Sequence, residues 1–167
     1  MVRAFLASLV AGLFFGILGF ACAFAIFQNA QGEGWEAFPE CAGVAASLTG
    51  FLSWWALLAR PCAYSLRRGL LAGALVGLLS HPLAWYFAIL VNYFSGAMPS
   101  GDEAMDPLQG LLGAVVFSLG SWACVGWLTL PLGMVAGAAL TPLTKWFFGR
   151  KPEQHAISNR VDHQSRQ

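Results

Sequence analysis

Charge is what this chain has least of. Only 10% of its 167 residues are Asp, Glu, Lys or Arg, where a soluble globular domain carries roughly a quarter. Meanwhile 57% are hydrophobic and the mean hydropathy is +0.63. Residues 4–32, 41–59, 69–101 and 107–144 contain no charged side chain at all. A helix needs about 20 apolar residues to cross the hydrocarbon of a bilayer, and each of these runs is long enough. A core built for water seldom holds one such run.

Histidine and cysteine are also scarce. The three histidines are His81, His155 and His163, and only His81 falls within an uncharged run, so paired axial ligation of a haem within the runs is excluded. Cys22, Cys41, Cys62 and Cys124 have no C-x-x-C spacing and belong to different depths, so no metal centre is expected. No glycine-rich phosphate loop is present, and the basic residues are too sparse to suggest nucleic acid. No carboxylate lies within the runs. That removes the usual relay of a proton-coupled carrier, and acid–base chemistry has no paired partners. No cofactor is expected.

The few charges that do occur are sorted. Glu33, Glu36 and Glu40 follow the first run, and Asp102, Glu103 and Asp106 precede the last. The nine basic residues avoid both places. Arg3 precedes the first run, Arg60, Arg67 and Arg68 connect the second to the third, and Lys145, Arg150, Lys151, Arg160 and Arg166 follow the fourth. Short loops rich in Lys and Arg stay cytoplasmic. The expected fold is therefore an all-α integral membrane protein, a four-transmembrane-helix bundle. Both termini are expected in the cytoplasm, with the bilayer of a bacterial inner membrane as the setting.

The expected spans are about 4–27, 41–59, 69–91 and 108–130, within a transmembrane domain of residues 1–148. Residues 149–167 are expected to form a flexible cytoplasmic tail. Ala23-Phe24-Ala25 offers a small-x-small cleavage site. The apolar stretch before it is longer than the about 7–15 residues of a secretory signal, and Arg3 alone precedes it, so the segment is expected to be retained. Gly32, Gly34 and Pro39 favour turns in the first outer loop, and residues 92–106 read as irregular. Pro61 ends the second span, and Trp54 and Trp55 suggest an interfacial belt. Pro107 suits a first helical position. Pro131 and Pro142 break the apolar stretch after the fourth span. A fifth crossing would carry Lys145 and Arg150 outside, so a kinked or extended last helix is expected, anchored by Trp146, Phe147 and Phe148.

Glycine numbers 19, and its spacing is informative. Gly69, Gly73 and Gly77 recur every four residues and so share one helix face, which His81 continues. Gly12 with Gly16, and Gly133 with Gly137, repeat the interval. Small residues let helix backbones approach closely in lipid, where apolar burial gives no drive for association. His81, beside Pro82, is a candidate intramembrane functional site. The alternative is a structural role, with a neutral imidazole bonded to a neighbouring helix or to a carbonyl released by Pro82. Pro82 has no N–H for the carbonyl of Leu78, and Ser80 and His81 are the nearby donors.

These features lead first to a non-enzymatic membrane component: a subunit, assembly factor or partner-binding protein that associates with another membrane protein or with itself. A small transporter or channel with Ser80, His81, Ser118 and Ser121 near its pathway is the alternative. A membrane enzyme acting on lipid or quinone is the third.

Overall fold

The computed structural model describes residues 1–28, 37–96 and 105–149. Within them the chain forms α1 (Val2–Phe27), α2 (Phe38–Trp54), α3 (Leu66–Ser95), α4 (Pro107–Ser121) and α5 (Trp127–Phe148). A π-helical turn, Trp55–Ala59, ends α2, and a second, Trp122–Gly126, joins α4 to α5 without a break. The result is four helical rods long and apolar enough to cross a membrane, the last running 42 residues from Pro107 to Phe148. The acidic residues Glu33, Glu36, Asp102 and Glu103, the turn residues Gly32 and Gly34, and the tail from Arg150 lie outside the described residues.

Several boundaries differ from those read in the sequence. Pro39 lies in the first turn of α2 rather than in a loop, a position where its missing N–H costs nothing. Residues 92–95 continue α3, which ends where Gly96 takes a left-handed conformation at φ 64°. Pro107 does open α4, and Asp106 caps it by accepting from the Leu108 N–H at 2.7 Å. The last rod is the extended helix expected, and the correction concerns its prolines and its end. Pro131 and Pro142 do not break it, and both lie inside α5. An interior proline costs about 3 kcal/mol. Here the close seating of α5 along α3 holds the helix through both residues.

Consecutive rods run antiparallel. Phe5 of α1 meets Phe51 of α2, ring centroids 5.6 Å apart, while at the other end Phe27 meets Phe38 at 4.6 Å. Gly69 near the start of α3 faces Gly137 and Thr141 of α5, and Gly110 of α4 faces Ile89 late in α3. This topology collects Arg3, Arg60, Arg67, Arg68 and Lys145 at one end of the bundle. Glu40 and Asp106, the acids among the described residues, are at the other. Arg68 also donates to the carbonyl of Leu57 at 3.0 Å, within the π turn that closes α2, so a cation sits at the negative end of that helix.

The bundle is inside-out relative to a protein dissolved in water. Its buried positions are mostly small: Ala7, Ala11, Ala45, Ala72, Gly73 and Gly77 are examples. Its exposed positions carry large apolar side chains, such as Ile17, Leu112, Val116 and Trp127. In water such a surface is an association site or an aggregation hazard; against lipid it costs nothing.

Glycine stripes bring the backbones together. On α1, Gly12 faces the carbonyl of Ser47, and Gly16 faces Ser47 and the carbonyl of Gly43. On α3, Gly73 lies against the carbonyl of Gly133, and Gly77 against that of Thr129, where a methyl group would come within 2.9 Å of the oxygen. Both stripes are thus filled by helices of the same chain. Trp54 is a further correction. Its side chain is fully buried beside Phe15 and Leu58 rather than turned out from the bundle, and its indole N–H has no acceptor among the described residues.

Candidate functional site

His81 lies at the middle of α3, one turn beyond Gly77. Its imidazole is not free to swing. Nδ1 is 2.6 Å from Oγ of Ser121, and Nε2 is 2.9 Å from Oγ1 of Thr129. Both ring nitrogens are therefore engaged by hydroxyls from the last rod. A hydroxyl both donates and accepts, so either imidazole tautomer can be satisfied while the pair of bonds fixes the ring.

The π turn explains how one helix supplies both hydroxyls. Two α-helical turns take about 7.2 residues, so on an unbroken helix a residue eight positions on is rotated off the starting face. The extra residue accommodated by Trp122–Gly126 returns Thr129 to the face of Ser121. This is why Thr129 is not found by reading the sequence at a helical period. Ser118, placed near the same pathway on sequence grounds, is not part of the site. Its hydroxyl turns back to the carbonyl of Ala114, within its own helix, and it is buried away from the cavity.

Pro82 acts as the sequence suggests, but a different residue answers it. The Leu78 carbonyl, which Pro82 cannot serve, accepts from the indole N–H of Trp122 at 3.2 Å. Neither Ser80 nor His81 makes that bond. The indole also approaches the imidazole edge-on, ring centroids 6.5 Å apart. Ser121 and Trp122, adjacent in sequence, thus secure His81 and the carbonyl one turn before it.

One side of this polar cluster opens on a cavity of about 110 Å³. Ser80, His81, Ser121 and Thr129 form its polar wall. The rest is apolar, with Phe15, Leu18 and Ile26 from α1, Phe38 and Ala46 from α2, Val76 and Ala84 from α3, and Val125 and Leu132 from the last rod. All four rods contribute, and no charged side chain lines it. The enclosure is uneven. α1 packs along α2, and the first half of α3 along α5, whereas α1 meets α5 only lightly and makes no comparable contact with Trp122–Gly126. Cover over the cavity is therefore thin between α1 and that π turn.

Chemically, the cluster can offer and accept hydrogen bonds inside an apolar enclosure. Both contacts join a hydroxyl to the imidazole, and no carboxylate among the described residues lines the cavity to stabilise an imidazolium as the third member of a hydrolytic triad would. No group of three His, Cys, Asp or Glu side chains able to hold a metal occurs among the described residues. No family model matches the chain, and no curated protein or solved structure matches it.

Proposed function

We propose that the chain is a non-enzymatic, multi-pass component of a bacterial inner membrane, with both termini cytoplasmic, that works by binding a small uncharged molecule in the cavity beside His81. One observation carries this reading: an imidazole fixed on both nitrogens forms the polar wall of an otherwise apolar cavity reached by all four rods. The space beside the ring is one that a purely packing role does not call for. The setting is supported by the apolar surface and by five basic side chains gathered at one end, since Lys and Arg are retained on the cytoplasmic side.

Docking through the glycine stripes is less favoured, because those stripes are already occupied within the chain. A partner-binding role keeps separate support. α4 leans on α3 and presents Leu108, Leu112, Val116 and Leu119 outward, a face that either lipid or a second membrane protein can cover.

Native mass spectrometry of gently purified protein tests the proposal. Wild type should carry a bound small-molecule mass, and Ala84→Leu, which fills the cavity from a buried position, should lose it while keeping its helical content. Equal masses without an adduct for both proteins would reject the binding role. Co-purification of a stoichiometric protein, with no small-molecule adduct, would replace it with the partner-binding one.

A further inference from the structure

Resting on the binding role above, we infer that the cavity takes the polar end of an uncharged, chain-like lipid, an alkyl alcohol in its simplest form, which reaches His81 sideways from the bilayer between α1 and the Trp122–Gly126 turn. Size gives the first constraint. About 110 Å³ is somewhat less than the roughly 150 Å³ of an engineered cavity that admits benzene. Only a short terminal portion of a larger molecule fits, and a bulky ring system does not. The remainder can leave past Cys22 and Ile26 of α1 and Val125 of the π turn, which line the cavity from two elements that are not packed together.

Charge gives the second constraint. No Asp, Glu, Lys or Arg lines the cavity, so a carboxylate, phosphate or ammonium would be buried without a counter-charge, at a cost of several kcal/mol. A hydroxyl suffers no such penalty if it is bonded. Ser121 and Thr129 each have hydrogen-bonding capacity beyond their bond to His81, and Ser80 lies beside them. Depth gives the third. His81 is at the midpoint of α3, where a lone hydroxyl in hydrocarbon finds neither water nor headgroups. A bonding partner at that depth selects a hydroxyl-ended chain over a plain alkane.

The test uses the full chain in lipid nanodiscs with a photoreactive diazirine analogue of hexadecanol. Labelling should map to α1 and the π turn, and unlabelled hexadecanol should compete about three- to tenfold better than hexadecane, the worth of one hydrogen bond. Palmitate at pH 8 should compete more weakly than the alcohol. His81→Ala, which releases the Ser121 and Thr129 hydroxyls to turn back on carbonyls of their own helix, should weaken alcohol competition by a similar three- to tenfold while leaving alkane competition unchanged. Val125→Trp, a substitution at the mouth that leaves the hydrogen bonds intact, should reduce labelling of α1 at least fivefold. Equal competition by alcohol and alkane would overturn the inference, as would undiminished labelling of Val125→Trp. Labelling that no competitor displaces, the result if water alone fills the cavity, would overturn it too. A native adduct that hexadecanol fails to displace would reject the alcohol class and leave the binding role standing. No native adduct together with no labelling would reject both.

Discussion

The indole N–H of Trp122 donates to the carbonyl oxygen of Leu78 at 3.2 Å, and it does so because Pro82, four residues on, has no N–H to offer. A defect in α3 is thus repaired by a residue of the last rod. Trp122→Phe should destabilise the bundle by about 1 kcal/mol, the usual net worth of such a bond. In a Pro82→Ala background the backbone N–H at position 82 can serve Leu78, so the same change should cost less than half as much. A double-mutant cycle in thermal stability checks this. Equal costs in the two backgrounds would mean that the indole is not the proline's complement.

Gly73 and Gly120 make a matched pair for testing the packing of α3. A methyl group at Gly73 would run into the backbone carbonyl of Gly133, which cannot move without shifting a helix, whereas one at Gly120 would meet nothing within 4 Å. Gly73→Leu should cost roughly 1–3 kcal/mol or more, the range for overpacking, and Gly73→Ala should already be measurable. Gly120→Ala should be neutral or stabilising by up to about 1 kcal/mol, from the better helix propensity of alanine. Detergent-resistance midpoints of the three variants decide it, and a wild-type midpoint for Gly73→Leu would show that α3 and α5 are not seated as described.

His81→Ala should have only a modest effect on stability despite removing two hydrogen bonds. Interhelical side-chain bonds in membranes average about 0.6 kcal/mol, so a loss of about 1 kcal/mol is expected. A loss above about 3 kcal/mol in the same unfolding measurement would instead make His81 chiefly a structural residue and weaken the binding proposal.

The proposed topology rests on the charge separation and can be tested by labelling. In a cysteine-free variant, single cysteines within 33–36 or 98–104 should react with an impermeant thiol reagent added to intact cells. Cysteines within 64–68 or after 150 should react only once the membrane is opened. Labelling of the positions after 150 from outside would overturn the cytoplasmic assignment of the C-terminus.

Tyr64, in the connection between α2 and α3, gives a pH prediction. Burial raises its phenol above the usual value of 10.0, and the neighbouring Cys62 thiolate adds to the effect. The folded state disfavours the phenolate, so the associated stability is complete below pH 10 and is lost as the pH rises from there through the folded pKa. Ultraviolet titration of wild type minus Tyr64→Phe should show a midpoint above that of free tyrosine. A midpoint at or below it would mean that this connection is open to water.

Much of the architecture is legible in the sequence, for a physical reason. Uncharged runs and the sorting of Lys and Arg depend on the cost of placing charge in hydrocarbon, which acts on each segment separately. Four rods, the approximate limits of the first three and the start of the fourth are read in this way, as is the basic end. The four-residue spacing of Gly69, Gly73 and Gly77 likewise identifies a close-packing face, because spacing along one helix is a local property.

What surrounds His81 was decided by tertiary structure alone. The sequence marks His81 and Pro82 and puts Ser80 and Ser121 nearby, but it does not identify Thr129, Trp122 or the cavity. Local rules end a helix near Pro131 and keep a strict 3.6-residue period, whereas α5 continues through that proline where it packs on α3, and the π turn shifts the period by a residue. Which helix fills a glycine stripe is similarly undetermined by the stripe. Trp54, which suits an interface by position, is buried because the pairing of α1 with α2 turns its face inward. Segment-by-segment transfer costs fix which residues leave water, while the packing of rod on rod fixes which of them meet.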